Sequence, residues 1–516
     1  MFKRFKFILV LPLLLKYIFL LIFIDWNLLG REDVIEDFLF CLTVVLLLYG
    51  NVLKKQFLVD ALCFFYVWYF VMETTSYLAV SSNFSSSYMY LLLESNKQEL
   101  SEFTKAYFSL PIFLFIILSG AIFFIIRKKR LKQSNKYQSA VGILGCTAIV
   151  VLLKLTGLIE NNAYHNIVRG TYGYITLQNS LKLNTNIKAE DISVKADNEV
   201  LVFVLGESTA RNRMEIYGYN RKNTPLLNAI KDSLLVYNNV ISTDVFTLKA
   251  LPKMLTSLDV DSKKENHFNI VEVFNAAGYT TYWLSNQRPI SYHDNAISKI
   301  ASRAKMFKFY NHIIDKNTLV LDEILLPDYN NILKKPGKKA IFIRLIGTHF
   351  DYNKRYPSTF NKFNANPKHK SKENITISHY DNAVFYNDFI LYSILESLEK
   401  MNTKSALLYL SDHGENIYDD GTSFFGRSEE VITKSMFEIP FLLWTSNSFT
   451  FPKDFEYKPD RVFMADHTYE SIGHVFGVMH KSMDASKSIF SKSFKPRQRK
   501  VLGTIDFDDY FSVKDE

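Results

Sequence analysis

The chain has 516 residues, 48% of them hydrophobic and 22% charged, with 19 Gly and 13 Pro, a balance that excludes a disordered or collagen-like polymer. The net charge of +9 fits either nucleic acid or an anionic membrane surface, but the apolar runs crowding the first third exclude a purely soluble protein. At roughly 150 residues per domain the length allows two to four domains.

Five apolar segments come first: Phe7–Ile24, Phe38–Tyr49, Phe57–Met72, Phe108–Ile126 and Ala140–Leu158. A bilayer core takes about 20 apolar residues per helix, which the first, fourth and fifth approach; the second and third are shorter and carry aromatics at their ends. The first lacks a small-residue cleavage site and more spans follow it, so it reads as an anchor rather than a signal peptide. All three cysteines, Cys41, Cys63 and Cys146, lie within these runs, leaving neither a disulfide framework nor a thiolate metal site to the rest of the chain.

Orientation follows from the basic residues. Met1–Lys6, Asn51–Gln56 and Arg127–Gln138 hold Lys3, Arg4, Lys6, Lys54, Lys55, Arg127, Lys128, Lys129, Arg130, Lys132 and Lys136 without an acid, whereas Asp25–Asp37 and Glu73–Tyr107 hold only Arg31, Lys97 and Lys105. The positive-inside rule places the N-terminus in the cytoplasm, and five spans put the remainder outside. Eleven cations are thereby accounted for as topology signals, which argues against nucleic acid as a partner. Asp60 falls within the third span, either as a paired buried acid or as a contact to a lipid head group.

The expected organisation is a five-helix transmembrane domain over residues 1–158, an interfacial linker over 159–198 with helices lying on the bilayer, and a catalytic domain over 199–516. In that last part, the strand-like runs EVLVFVLG (199–206), TTYWLS (280–285), KAIFIRLIG (339–347), SALLYLSD (405–412) and IPFLLWTS (439–446) alternate with helical patterns such as 267–278 and 380–401. Such alternation predicts an α/β fold with a largely parallel central sheet, whose chemistry gathers at the carboxyl ends of the strands.

Three strand ends carry suitable groups: Glu207 in GESTAR, Thr348-His349 after the third run, and Asp412-His413-Gly414-Glu415 after the fourth. Two carboxylates and an imidazole there make a three-ligand divalent site, with oxygen and nitrogen donors suited to zinc or manganese. Thr247 opens the apolar-periodic run Leu248, Leu251, Met254, Leu255, and so sits at a helix start. It reads either as a plain N-cap or as a hydroxyl nucleophile where helix N–H groups favour a phosphate.

These strings resemble the membrane-bound phosphoethanolamine transferases, lipopolysaccharide-modifying enzymes of the alkaline phosphatase/sulfatase fold. The matching stretches are VFVLGESTARNRMEIYGYNRKNTP (202–225), NNVISTDVFTLKALPKMLTSL (238–258), LIGTHFDYNKRYP (345–357), YDNAVFYND (380–388), LLYLSDHGE (407–415) and IPFLLWTS (439–446). The resemblance implies Glu207, Thr247, Asp412 and His413 as zinc ligands and Thr247 as the residue that carries phosphoethanolamine. It implies His349 as a contact to the transferred phosphate or a proton carrier, and Asn286 and Gln287 as residues near the donor head group. It further implies phosphatidylethanolamine as donor, lipopolysaccharide (lipid A or core sugar) as acceptor, and a multi-pass protein of the bacterial inner membrane with its catalytic domain in the periplasm. An added ethanolamine on that anionic surface would weaken binding of cationic peptides such as polymyxin.

Three departures from the family pattern stand out. Arg344 replaces a histidine of the third strand, Phe425 replaces another beyond the DHGE string, and periplasmic cysteines are missing. The first two predict one tightly held zinc, with the Arg344 guanidinium binding phosphate where a second metal would sit; His467 and His474 are the remaining imidazoles able to compensate. A sulfatase nucleophile motif is absent after Thr247. Glycerophosphate transferases of the same fold, and a catalytically degenerate membrane-anchored binding protein, are the competing readings.

Overall fold

A computed structural model of the chain describes residues 2–24, 29–95, 97–128, 136–180, 182–185, 187–262, 266–287, 296–310, 320–364, 371–422 and 424–512. Parts of the expected loops 1–6, 25–37 and 127–138 lie outside the described residues. The chain divides into two compact units, Met1–Thr176 and Leu177–Glu516.

The first unit is helical: α1 (Phe2–Phe23), α2 (Arg31–Tyr49), α3 (Gln56–Val80), α4 (Ser86–Glu94), α5 (Lys97–Tyr107), α6 (Leu110–Arg127), α7 (Lys136–Thr156) and α8 (Ala163–Ser180). Among the described residues, three stretches are long and apolar enough to cross a membrane by themselves, Gln56–Val80, Leu110–Arg127 and Tyr137–Thr156; Ile8–Phe23 is apolar but shorter. The second expected segment begins earlier than Phe38, because Glu32, Asp33, Glu36 and Asp37 form the first two turns of α2. Their charge hid that start from a hydropathy reading. Those acids are engaged: the Lys16 ammonium lies 2.5 Å from Asp37 Oδ2, Tyr69 donates to Glu36, and Asn162 Nδ2 donates to Glu36 Oε1 at 2.7 Å. Asp60 is paired with Arg127 at 3.3 Å and accepts from Gln56 at 2.9 Å, but at 26% exposure it is half-buried rather than the buried acid of its first reading. In the predicted linker one long helix, α8, presents Val168, Tyr172 and Ile175 at exposures of 68%, 73% and 52% along one face.

The second unit is built on seven strands: β1 (Val200–Gly206), β2 (Leu234–Val236), β3 (Thr280–Ser285), β4 (Met306–Phe309), β5 (Lys339–Arg344), β6 (Ser405–Ser411) and β7 (Phe441–Thr445). Their order across the sheet is β2-β7-β6-β1-β5-β3-β4. β1 and β6 bury every residue, as an apolar strand covered on both faces must. The sheet is mixed rather than parallel throughout. β7, the predicted strand IPFLLWTS, runs antiparallel to both β6 and β2, so its carboxyl end points away from the others. Hydrophobic runs alone carry no information on strand direction, which is why the sequence reading missed the reversal.

The helices that matter for the site are α9 (Thr247–Leu255), α10 (Ile270–Ala276), α11 (Lys372–Glu399) and α12 (Thr468–Phe476). α9 buries Leu248, Leu251, Met254 and Leu255, the periodic positions seen in the sequence. α11 is capped by Ser371, whose hydroxyl accepts from the Asn374 N–H.

Candidate active site

Glu207 follows β1 directly, Asp412 and His413 follow β6, and β1 and β6 are adjacent parallel strands in register. The three side chains are buried and their ligand atoms lie within 4.8 Å of one another. Thr247, the first residue of α9, brings its hydroxyl into the group. Its Oγ1 donates to Asp412 Oδ2 at 2.6 Å, and lies 3.2 and 3.3 Å from the Glu207 oxygens and 3.3 Å from His413 Nε2.

Each donor is aimed by a second partner. Asp412 Oδ1 accepts the backbone N–H groups of Ser208 and His413 at 3.1 and 2.8 Å, which leaves Oδ2 for Thr247. His413 Nδ1 lies 2.8 Å from the Gly414 carbonyl, so a proton on Nδ1 leaves the Nε2 lone pair facing the group. Gln287 Nε2 donates to Glu207 Oε2 at 3.1 Å. Ser208, directly after Glu207, holds φ at +58°, a left-handed conformation uncommon outside glycine. Gly414 is fixed by crowding, since a Cβ there would sit 1.9 Å from the Ser435 carbonyl oxygen.

Two carboxylates, one imidazole nitrogen and one hydroxyl make four converging donors, a set that fits a tetrahedral divalent ion. Burial would raise the Glu207 carboxyl, but the His413, His349 and Arg344 side chains outweigh it and hold the group well below the usual carboxylate range. His349 follows β5 with its Nδ1 enclosed and unpartnered among the described residues; burial pushes its pKa down to about 3, so the ring is neutral at neutral pH.

The other sequence-based candidates divide. Arg344, the last residue of β5, places Nη2 3.6 Å from Glu207 Oε2, beside the group. Gln287 touches Glu207, whereas Asn286 turns away and donates to Asp322 Oδ1 and the Val320 carbonyl at 2.9 and 3.1 Å. Phe425 stacks on Phe350 at 5.8 Å. His467 and His474 lie elsewhere: His467 Nε2 is buried without a hydrogen-bond partner among the described residues, 3.9 Å from Asp259, while His474 meets Asp454 and Ser488 at 3.1 Å each. Neither belongs to the cluster that gathers Glu207, Asp412 and His413. Thr209, two residues after Glu207, is buried and bonded to Thr348 Oγ1 at 3.2 Å.

Sequence reasoning missed three groups. Asp322 accepts the N–H groups of Ile346 and Gly347 at 2.9 Å each and so pins the loop that carries His349. Arg427 reaches both Glu207 and His413, with Nη1 3.6 Å from Glu207 Oε1 and 2.6 Å from His413 Nε2. Tyr352 donates to Glu415 Oε1 at 2.8 Å. Arg427 had one legible signal, its place two residues after the position where a family histidine is replaced.

Three comparisons bear on the family. The protein-family model described as Sulfatase matches residues 199–476. Phosphoethanolamine transferase EptC of Escherichia coli K12 is 29% identical over 480 residues, covering 84% of this chain and 83% of that protein. The crystal structure of the C-terminal periplasmic domain of E. coli EptC, in complex with Zn, superposes at a TM-score of 0.58 with 30% identity, covering 61% of this chain and 95% of that one. The integral membrane lipooligosaccharide phosphoethanolamine transferase A of Neisseria meningitidis shares the fold at a TM-score of 0.73 and 18% identity, over 95% of this chain and 98% of that one.

Proposed function

The chain belongs to the membrane-bound phosphoethanolamine transferases of the sulfatase family, and on that premise we propose that it moves phosphoethanolamine from phosphatidylethanolamine to lipopolysaccharide through a covalent intermediate on Thr247. The observation that carries this reading is the convergence of the Thr247 hydroxyl with the Glu207, Asp412 and His413 ligand atoms at the N-terminus of α9.

Glu207, Asp412, His413 and Thr247 would hold the metal, taken as zinc for its tetrahedral preference and its affinity for oxygen and nitrogen donors. When bound it supplies Lewis-acid stabilisation of the phosphoryl oxygens and lowers the pKa of the hydroxyl. Thr247 Oγ1 attacks phosphorus, the bond from phosphorus to the glycerol oxygen breaks, and the hydroxyl proton ends on the departing diacylglycerol. An acceptor oxygen then attacks the same phosphorus and Thr247 regains its hydroxyl. The N-terminus of α9 would face the negative charge that builds up in both steps. His349, neutral and enclosed at Nδ1, suits a hydrogen bond to a phosphoryl oxygen better than the carriage of a proton.

The helices α1, α2, α3, α6 and α7 are read as five membrane spans of the inner membrane, with the catalytic unit in the periplasm. The basic loops of the sequence support that polarity. A tethered catalytic unit meets a lipid donor and a lipid-linked acceptor at high effective concentration, which favours transfer over hydrolysis. Mass spectrometry of lipid A and core from cells with and without the protein tests the reading. Ethanolamine-bearing product that disappears with the gene is expected; a glycerophosphate product would replace the proposal with the competing activity.

A further inference from the structure

Both oxygens of Glu207 face a guanidinium. Arg344 Nη2 lies 3.6 Å from Oε2 and Arg427 Nη1 lies 3.6 Å from Oε1, with side-chain exposures of 12% and 10%. Arg427 is braced from behind: its Nε is 3.5 Å from Glu415 Oε2, Glu415 Oε1 accepts from Tyr352, and the guanidinium lies 5.9 Å from the centre of the Phe246 ring, next to Thr247. The glutamate of the DHGE string therefore supports an arginine rather than joining the three ligand residues.

Charge counting gives this arrangement a purpose. Glu207, Asp412 and Glu415 contribute three negative charges and the two arginines two positive ones. The neighbouring Lys249 and Lys253 are each tied to an acid, Glu429 and Asp244, and add nothing net. With His413 uncharged, as a metal donor must be, His349 uncharged and one divalent ion, these groups sum to a single positive charge. That matches a phosphodiester, which bears one negative charge, and not a phosphomonoester dianion. A second divalent ion would leave a surplus in a low-dielectric pocket.

Resting on the transfer reading above, we propose that Arg344 and Arg427 form a two-guanidinium clamp on the non-bridging oxygens of the donor phosphate, that the clamp selects phosphodiesters over phosphomonoesters, and that Glu415 and Tyr352 are positioning residues for Arg427. The planar fork of arginine suits paired phosphate oxygens, which a lysine holds only as a point charge.

The test uses the full chain in detergent, loaded with zinc, and two probes: dimethyl phosphate as the diester and methyl phosphate at pH 8 as the monoester. Titration calorimetry gives affinity and elemental analysis gives metal content. The wild type is expected to hold one zinc per chain and to prefer dimethyl phosphate. Arg344→Gln and Arg427→Gln are each expected to weaken dimethyl phosphate about tenfold with zinc content unchanged. Glu415→Gln should weaken it by a similar factor, and the Glu415→Gln/Arg427→Gln double variant no further than Arg427→Gln alone, a non-additivity that a merely structural role would not produce. Arg427→Lys keeps the charge and stands in if the Gln variant fails to fold; partial loss of diester affinity is then expected. Wild-type affinity in the arginine variants, zinc loss parallel to affinity loss, or two tightly bound zinc ions would overturn the clamp. A Thr247→Ala protein that still transfers would instead overturn the transfer reading, so the two failures are distinguishable.

Discussion

Thr247 Oγ1 lies 2.6 Å from Asp412 Oδ2, joining the first turn of α9 to the end of β6 across 165 residues of sequence. Asp412 can turn that oxygen toward Thr247 because its other oxygen is held by two backbone N–H groups. The hydroxyl thus has a fixed direction before any substrate arrives, and preorganisation of this kind is where much of a transferase's rate comes from.

Removing the Thr247 hydroxyl should therefore abolish transfer, by roughly 10³-fold or more in kcat, while changing stability little, because the residue is only partly buried and caps nothing with its side chain. Thr209→Ala should do the reverse. That hydroxyl is buried within the Thr348 and Tyr409 bonds, so about 1 kcal/mol of stability should go while activity per folded molecule remains. Transfer assays paired with thermal melts check both. Activity lost with Thr209 and kept without Thr247 would show that the nucleophile has been misplaced.

Gly414→Ala should destabilise the catalytic unit by about 3 kcal/mol, since the added methyl would sit 1.9 Å from the Ser435 carbonyl and 3.0 Å from that of Glu438, both backbone atoms that cannot swing aside. Metal content should fall with it, because Gly414 also supplies the carbonyl beside His413 Nδ1. Denaturant melts and elemental analysis read the two effects separately.

His467 gives a pH signature outside the site. Burial pushes it down from 6.5 to about 4, with Arg497 and Lys487 adding to the effect and Asp466 opposing it. In the window between those values the unfolded chain takes up a proton that the folded chain refuses, so this group's contribution is intact above pH 6.5 and is lost as pH falls toward 4. Glu470, pushed up to about 8 by burial, acts in the opposite sense, gaining as pH falls. The difference between wild type and His467→Gln isolates the histidine. It should move in the variant's favour by about 1–3 kcal/mol between pH 6.5 and 4, as measured by chemical denaturation across that range. A flat difference would mean that the imidazole is not held neutral.

A reporter enzyme fused after Glu160 should be active only on the outer side of the inner membrane, given the basic loops on the opposite side. A cytoplasmic signal from that fusion would reverse the topology and remove the donor from reach.

Much of this architecture can be read from the chain. The runs at 199–206, 280–285, 339–347 and 405–412 became β1, β3, β5 and β6 because each carries β-formers with an apolar centre, which a strand covered on both faces demands. Thr247 announced itself through the period of Leu248, Leu251, Met254 and Leu255. What stayed hidden depends on distances between remote segments. The pairing of Glu415 with Arg427 and Tyr352, the left-handed Ser208 and the hold of Asp322 on the His349 loop are invisible to local pattern. The acids that open α2 were read as loop because their partners, Lys16, Tyr69 and Asn162, come from elsewhere in the chain.

The reversal of β7 has a consequence for how such a site can change over evolution. Because β7 is antiparallel to β6, the chain leaves the sheet after Ser411 and re-enters at Phe441 on the same edge. Everything between, including Asp412, His413, Glu415 and Arg427, is one excursion that never has to travel to the far edge and back. Its length and sequence beyond His413 can be rewritten without disturbing the register of the seven-stranded sheet, since the pairing of Asn416–Ile417 with Phe425–Gly426 is internal to the excursion. Exchange of this single segment between relatives offers a route to a changed pocket around an unchanged cluster of Glu207, Asp412 and His413.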